Sequence, residues 1–294
     1  MSYLDRFLLG PLGAMTELPG IPARKGVKVD HERIGGTDRG LRGGLSEDVW
    51  ATKRSWVFGW DLAHARQAQR LVGRWRSPYR ASALRLLDPM VPNLLSPDVA
   101  VCGSMSRTPA GLGDPTSTPW AYITAGTTAF DIIGLGQPAD TELVGLVDSC
   151  AHWTVPGVGV LYSEIAEWGR MPLLGRRTVF SAYVRGSGSV LASVYGETPG
   201  ATYAGSSTTL TSSWQRIQAI APAAAASVSF RVGLVSGSGG ADVQTIGWQA
   251  EHLPAGNATD WSPGGGAAEV LLTEFGEGYR VLGRRALELT VGEV

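Results

Sequence analysis

The chain has 294 residues, of which 17% are charged and 44% hydrophobic, with 40 glycines and 17 prolines. A disordered chain would be short of apolar residues and rich in net charge, and a helical bundle would be rich in Ala, Glu, Lys and Leu and poor in Gly; the composition argues against both and for a turn-rich, all-β protein. The formal net charge of −1 gives no global field for nucleic acid, but it conceals an asymmetry: residues 1–92 carry 15 basic and 9 acidic side chains, residues 93–264 carry 7 and 12, and residues 265–294 carry 3 and 5.

The N-terminus, Met1-Ser2-Tyr3-Leu4-Asp5-Arg6, lacks the basic start and long apolar core of a signal peptide, so folding in the cytoplasm is expected. No apolar run approaches the length of a membrane span. Val27 to Ile34 reads as a strand, with Val27 and Val29 alternating with Lys28 and Asp30. A loop is expected at Gly35-Gly36-Thr37-Asp38-Arg39-Gly40-Leu41-Arg42-Gly43-Gly44, where the glycines supply positive φ at little steric cost. Trp56, Phe58 and Trp60 then share one face of a second strand by the two-residue period. Residues 27–60 therefore read as a long hairpin with an extended tip.

Asp61 is a plausible N-cap for a helix to Trp75. Leu62, Ala65, Ala68, Leu71, Val72 and Trp75 fall on one side of it, and Arg66, Arg70 and Arg74 form a basic stripe that reads as a solvated face. Ala83 to Leu87 is a further strand. Asp88-Pro89-Met90-Val91-Pro92-Asn93 marks a boundary. After it, short apolar strands alternate with Gly/Ser/Thr/Pro turns: 121–124, 129–133, 142–149, 159–163, 178–185, 190–195, 214–220, 227–235 and 241–251. That pattern favours a β-sandwich or jelly roll. Gly264-Gly265-Gly266 is a second linker, followed by two strands around Val270–Glu274 and Ala286–Val291. A lone hairpin is marginal in water, so this last segment needs a sheet to join. The economical arrangement is one discontinuous domain, 1–92 plus 265–294, with 93–264 inserted into it.

Within 93–264, the strand Arg176-Arg177-Thr178-Val179-Phe180-Ser181-Ala182-Tyr183-Val184-Arg185-Gly186-Ser187-Gly188, then Trp214-Gln215-Arg216, Gln249-Ala250-Glu251 and Ala258-Thr259-Asp260-Trp261-Ser262-Pro263-Gly264 stand in sequence order. Together they resemble the jelly rolls of carbohydrate-binding modules. Asn93-Leu94-Leu95 is similar to the usual opening of such segments in phage tail proteins. The flanking regions, with the Gly/Arg loop, the Trp-rich strand, the single helix and Leu84-Arg85-Leu86-Leu87-Asp88-Pro89, resemble siphophage minor tail proteins of the distal-tail type found in phages of high-GC actinobacteria. The resemblance implies a tail-tube-like β-barrel or sandwich with one packed helix, carrying the jelly roll as an insertion. It also implies a homo-oligomeric ring, a hexamer or a trimer, around the tail axis. The other partners implied are the tail tube and tail tip hub, and the location is the virion, assembled in the host cytoplasm and released by lysis.

No Walker-type loop, His-Glu-x-x-His or Gly-x-Ser-x-Gly occurs. His31, His64, His152 and His252 are scattered, without metal-ligand spacing; His152 beside Trp153 could line a pocket, but reads first as a hydrogen-bonded structural histidine. Glu164 and Glu167 are neighbours on one segment, which rarely places two carboxylates across a glycosidic bond, so no enzyme is expected. Asp114, Asp131, Asp140 and Asp148 form no Asp-x-Asp loop, and neither a metal nor another cofactor is expected. Cys102 and Cys150 make neither a disulfide framework nor a zinc site. Trp120, Trp153 and Trp168, in or near loops of the insert, are the candidate sugar platforms, because an indole face packs on sugar C–H groups. Trp214, Trp248 and Trp261 are expected in the core. Gly35, Gly36, Arg39, Gly40, Arg42, Gly43 and Gly44 are the expected subunit-contact loop. The function expected is a structural tail component that displays a glycan-adhesion module. The alternatives are a stand-alone carbohydrate-binding or carbohydrate-active protein and, last, a nucleic-acid-binding N-terminal region.

Overall fold

The computed structural model describes residues 7–10, 16–19, 26–39, 45–76, 84–95, 97–101, 120–123, 129–134, 143, 149–165, 177–196, 201–223, 230–281 and 284–293. The fold is all-β with two sheets and two helices among the described residues. The chain divides into two compact units, one spanning Leu87–Ala267 and the other combining Thr16–Leu86 with Ala268–Val294 and the first strand.

The second unit holds strands β1 (Leu8–Gly10), β2 (Thr16–Glu17), β3 (Val27–Arg39), β4 (Leu45–His64) and β5 (Leu84–Leu87), and helix α1 (Ala65–Arg76). Towards the C-terminus it adds β15 (Ala267–Val281) and β16 (Arg284–Glu293). The sheet order is β2-β1-β5-β15-β16-β4-β3. Its core follows from the period of two. Trp56, Phe58 and Trp60 stand opposite Val291, Leu289 and Leu287, so all six point to one face, and all six are buried. Phe58 stacks on Trp60 at 5.6 Å between centroids and meets Phe7 edge-on at 5.0 Å. Ala68 and Leu71 of α1 belong to the same core, and the Trp60 Nε1 donates to the Pro19 carbonyl at 2.7 Å.

Two local expectations change here. The helix begins at Ala65 rather than after Asp61, because Arg285 and Arg284 of β16 pair with Ala63 and His64 and hold those residues in β4. Asp61 is thus a strand residue and not an N-cap. The hairpin tip is also shorter than expected. Gly35, Gly36 and Arg39 lie in β3, paired with Val49, Asp48 and Leu45, while Gly40, Arg42, Gly43 and Gly44 lie outside the described residues. Cross-strand pairing, rather than glycine content, decides the backbone there.

The unit Leu87–Ala267 holds α2 (Pro97–Val101), β6 (Trp120–Ile123), β7 (Ala129–Gly134), β8 (Ser149–Val155), β9 (Val160–Ile165) and β10 (Arg177–Gly196). It continues with β11 (Ala201–Ala204), β12 (Thr208–Thr209), β13 (Gln215–Ala221) and β14 (Phe230–Leu253). β10 and β14 pair along nearly their whole length and change neighbours midway. The first half of β10 lies between β13 and the second half of β14, which continues to β8 and β7. The second half of β10 pairs with β11 and with the start of β14, which continues to β9 and β6. The change falls at a register shift beside Gly188 (φ 89°), where an added Cβ would meet the Gly240 carbonyl oxygen at 2.5 Å. Only glycine fits that close, left-handed passage. Segments that read as separate strands, 178–185 with 190–195 and 227–235 with 241–251, are therefore single strands that pass from one layer to the other. The layers share one core, with Val190, Ala192, Val194, Val232 and Leu234 from one and Phe180, Ala182, Val184, Val243 and Trp248 from the other.

The residues that open and close this unit are locked together. Asn93 is fully buried, and its Nδ2 donates to the carbonyls of Trp248 and Ser262, both at 2.9 Å. Its Oδ1 accepts from the backbone N–H groups of Leu95 and Ala250, both at 3.2 Å. Gly266 N donates to the Asn93 carbonyl and Gly265 N to that of Leu95. Gln249 Oε1 accepts from Ser262 N, and Glu251 accepts from both the backbone N–H and the hydroxyl of Thr259. The Gln-x-Glu and Ala-Thr-x-Trp-x-Pro-Gly segments are thus two halves of one clasp.

Candidate functional site

Along the first half of β10, Phe180, Ala182 and Val184 face the shared core, so Ser181, Tyr183 and Arg185 face the other way. Near Tyr183 that outer face is covered. A Cβ added at Gly247 (φ 59°) would meet Tyr183, Leu143 and Trp261 within 3.5 Å, and all three of these side chains are buried. The cover ends at the next row. There His152 of β8, Gln244 of β14 and Arg185 of β10 stand side by side by register, followed by Trp214 at the start of β13. All four are partly buried.

This row is a connected polar shelf. Arg185 Nε donates to Gln244 Oε1 at 2.7 Å, and the guanidinium lies 4.5 Å from the centre of the Trp214 ring. His152 Nε2 hydrogen-bonds to Asp242 Oδ1 at 2.5 Å, and Thr154 Oγ1 donates to the same oxygen at 3.4 Å. One row toward the covered end, Arg216 of β13 lies 5.4 Å from the Tyr183 ring centre and donates from a terminal nitrogen to Ser181 Oγ at 3.1 Å. Cys150, two residues before His152 in β8, is a free, buried thiol. Burial pushes it up to about 11, against the opposing pull of the Arg185 charge. It is therefore protonated at neutral pH and is no nucleophile. The shelf offers an amide, an imidazole–carboxylate pair, a hydroxyl and a guanidinium in one line, the mix that orients hydroxyl-bearing ligands.

The expected sugar platforms do not meet here. Trp153 lies in β8, one residue from His152, and so points to the opposite face; it is fully buried in the core and presents no ring to a ligand. This corrects its reading as a loop residue. Trp120 is in β6, paired with Ser163, and Trp168 lies outside the described residues. Trp248 and Trp261 are core residues, whereas Trp214 is only partly buried, with Arg185 over its ring. Arg185, Gln244 and Arg216 were missed as site residues. The alternation Tyr183/Arg185 against Ala182/Val184 could have found the first and Trp214/Arg216 against Gln215 the last, whereas Gln244 needed the register. Asp131 pairs with His152 by backbone register. Among the described residues no group of three or more His, Cys, Asp or Glu is placed to hold a metal ion, and no helix is long and apolar enough to cross a membrane.

A second concavity lies on the seven-stranded sheet, on the face opposite Trp56, Phe58 and Trp60. It is a trough of about 770 Å³. Gly59 and Gly276 flank Glu288 there, and Gly278 stands opposite Ala286. A Cβ at Gly59 would meet nothing within 4 Å, so packing within the chain does not require the glycine.

No protein-family model matches this sequence, and no curated protein matches it either. Several solved structures are similar in part. The CBM22-1 xylan-binding domain from Paenibacillus barcinonensis Xyn10C is 14% identical, with 49% of this chain and 91% of that chain covered and a TM-score of 0.37. The enzymatically active domain of bacteriophage CBA120 tailspike protein 4 is 13% identical over 54% of this chain, with a TM-score of 0.35; the match spans 22% of that domain's length. TmCBM61 in complex with β-1,4-galactotriose is 11% identical over 46% of this chain and 89% of that one, with a TM-score of 0.33. The all-β assignment rests on the strands of this chain.

Proposed function

We propose that the chain is a structural component of a phage tail, in which the seven-stranded unit joins copies into a ring and the nine-stranded unit holds a cell-surface glycan on its polar shelf. The observation that carries the assembly reading is a two-stranded ribbon that, among the described residues, has no third strand. β16 accompanies β4 only as far as Gly292 opposite Ser55. Beyond that point, among the described residues, β4 pairs with β3 alone, from His31 opposite Arg54 to Arg39 opposite Leu45. The paired stretch of β3 is about 30 Å long at the rise of an antiparallel strand. A two-stranded ribbon of this kind is marginal in water by itself, and a neighbouring copy that pairs with its edge supplies what it lacks. Its base is fixed: Arg54 donates to both carboxylate oxygens of Glu293 and lies 4.9 Å from the Trp56 ring centre.

The glycan reading is supported by the shelf. A single site of this size holds sugar weakly, and a ring of copies turns weak sites into avidity.

The test replaces residues 35–50 with an Asn-Gly turn, which joins Ile34 to its partner Ala51, shortens the ribbon and keeps the sheet. Sedimentation of the intact chain is expected to give a ring-sized species and the shortened chain a monomer. Equal masses for the two contradict the ribbon as the contact, and a monomeric intact chain contradicts the assembly reading.

A further inference from the structure

We infer that the shelf selects an anionic saccharide, one that carries carboxylate or phosphate groups, over a neutral one; this rests on the glycan reading above. Of the other half-buried arginines, Arg177 donates to the Gly256 carbonyl at 3.4 Å, and two are matched with carboxylates. Arg54 is ion-paired with Glu293 and Arg85 with Glu269, each at 2.9 Å. Arg185 and Arg216 are partly buried too, yet among the described residues neither has a carboxylate within ion-pair distance. Their polar partners are neutral, Gln244 for Arg185 and Ser181 for Arg216. Arg216 Nε is buried and makes no hydrogen bond.

The two guanidiniums are diagonal neighbours. Arg216 stands opposite Tyr183, and Arg185 is two residues further along β10 on the same face. Each is held over an aromatic ring, which fixes its plane and reduces the freedom it would lose on binding. Taking a charge from water without an opposite charge is unfavourable, so two such groups side by side are poised for an incoming anion. Asp242, a described carboxylate on this face, is engaged by His152 and Thr154. The recognition is local rather than a general attraction, because residues 93–264 carry a net negative charge. A carboxylate or phosphate oxygen pair matches the guanidinium fork, whereas a neutral hydroxyl matches it only singly.

The experiment is calorimetric titration of the full chain with three probes: an oligogalacturonate, a polyglycerol phosphate, and a neutral xylo-oligosaccharide. The uronate and phosphate arms separate the two sources of negative charge. At least one anionic probe is expected to bind ten-fold or more tightly than the neutral one, with affinity falling as salt is raised. Arg185→Gln and Arg216→Gln should each weaken that binding about ten-fold, and Arg185→Lys should recover part of it. The comparison among probes uses the unaltered chain, so it holds even where a variant fails to fold. Equal or tighter binding of the neutral probe overturns the anionic selectivity and leaves the glycan reading standing. Failure of every probe overturns both.

Discussion

The clasp at Asn93 gives the sharpest test of the fold. Asn93→Ala removes four hydrogen bonds at once and leaves the buried carbonyl of Trp248, the part-buried carbonyl of Ser262, and two backbone N–H groups, of Leu95 and Ala250, without that partner. A buried polar group left without a partner costs about 1–3 kcal/mol. The carbonyls keep a second lone pair, and the vacated space is polar enough for one water to bridge some of the groups. The net loss is therefore set mainly by the two N–H groups, at about 3–4 kcal/mol. For a unit of this size that lowers its melting temperature by roughly 6–16 °C. Asn93→Leu fills the space without any hydrogen bond and should lose at least as much. Asn93→Asp places a carboxylate oxygen against the two carbonyls and should lose more. Differential scanning calorimetry reads the result as a shift in the transition of the Leu87–Ala267 unit, with the other transition unmoved. A loss below about 1 kcal/mol in Asn93→Ala would refute the reasoning, since it would mean that the four bonds are replaced by water at no cost.

Other consequences follow from single sites. Gly59→Thr and Gly276→Thr put a β-branched residue in a strand where the Cβ meets nothing or only Glu288 at 3.7 Å, so each should stabilise the isolated chain by about 0.5–1 kcal/mol. If neighbouring copies use the trough, the same variants will assemble poorly, and sedimentation beside thermal melts separates the two effects. Cys150 has its thiol raised from 9.0 to about 11, so the unfolded chain ionises first and stability falls as pH rises from about 9 through 11. Cys150→Ala should flatten that decline in a denaturation series, and iodoacetamide should leave Cys150 unlabelled in the native chain at pH 7.5. Arg54→Ala leaves Glu293 half-buried without its bidentate partner and should lower the stability of the seven-stranded unit by about 1–3 kcal/mol, read by urea titration.

The strands with clean alternation were legible from sequence. Trp56, Phe58 and Trp60 at spacing two already require one apolar face, and Leu287, Leu289 and Val291 require the complementary one; the structure sets them opposite each other. What the sequence could not show was where pairing overrides local preference. Asp61 has the chemistry of an N-cap, and Gly35-Gly36 that of a loop, but both sit in strands because a partner strand lies alongside. The passage at Gly188 reads from sequence as a break between strands 178–185 and 190–195, because a strand that changes layers and a strand that ends look alike in one dimension. The site was less legible than the fold. Trp153 stands out by its residue type, whereas its orientation depends on its parity within β8, which begins at Ser149, where the sequence pattern instead ends a strand over 142–149. The shelf itself is made by register among three strands far apart in sequence, and no spacing along the chain encodes that His152, Gln244 and Arg185 share a row.

Assembly through the ribbon is the central claim, and single-particle imaging of the purified full chain at micromolar concentration tests it most directly. Closed rings in which the 31–54 ribbon of each copy lies against the next are the result expected. Isolated monomers at tens of micromolar, with the ribbon free in solvent, would contradict it.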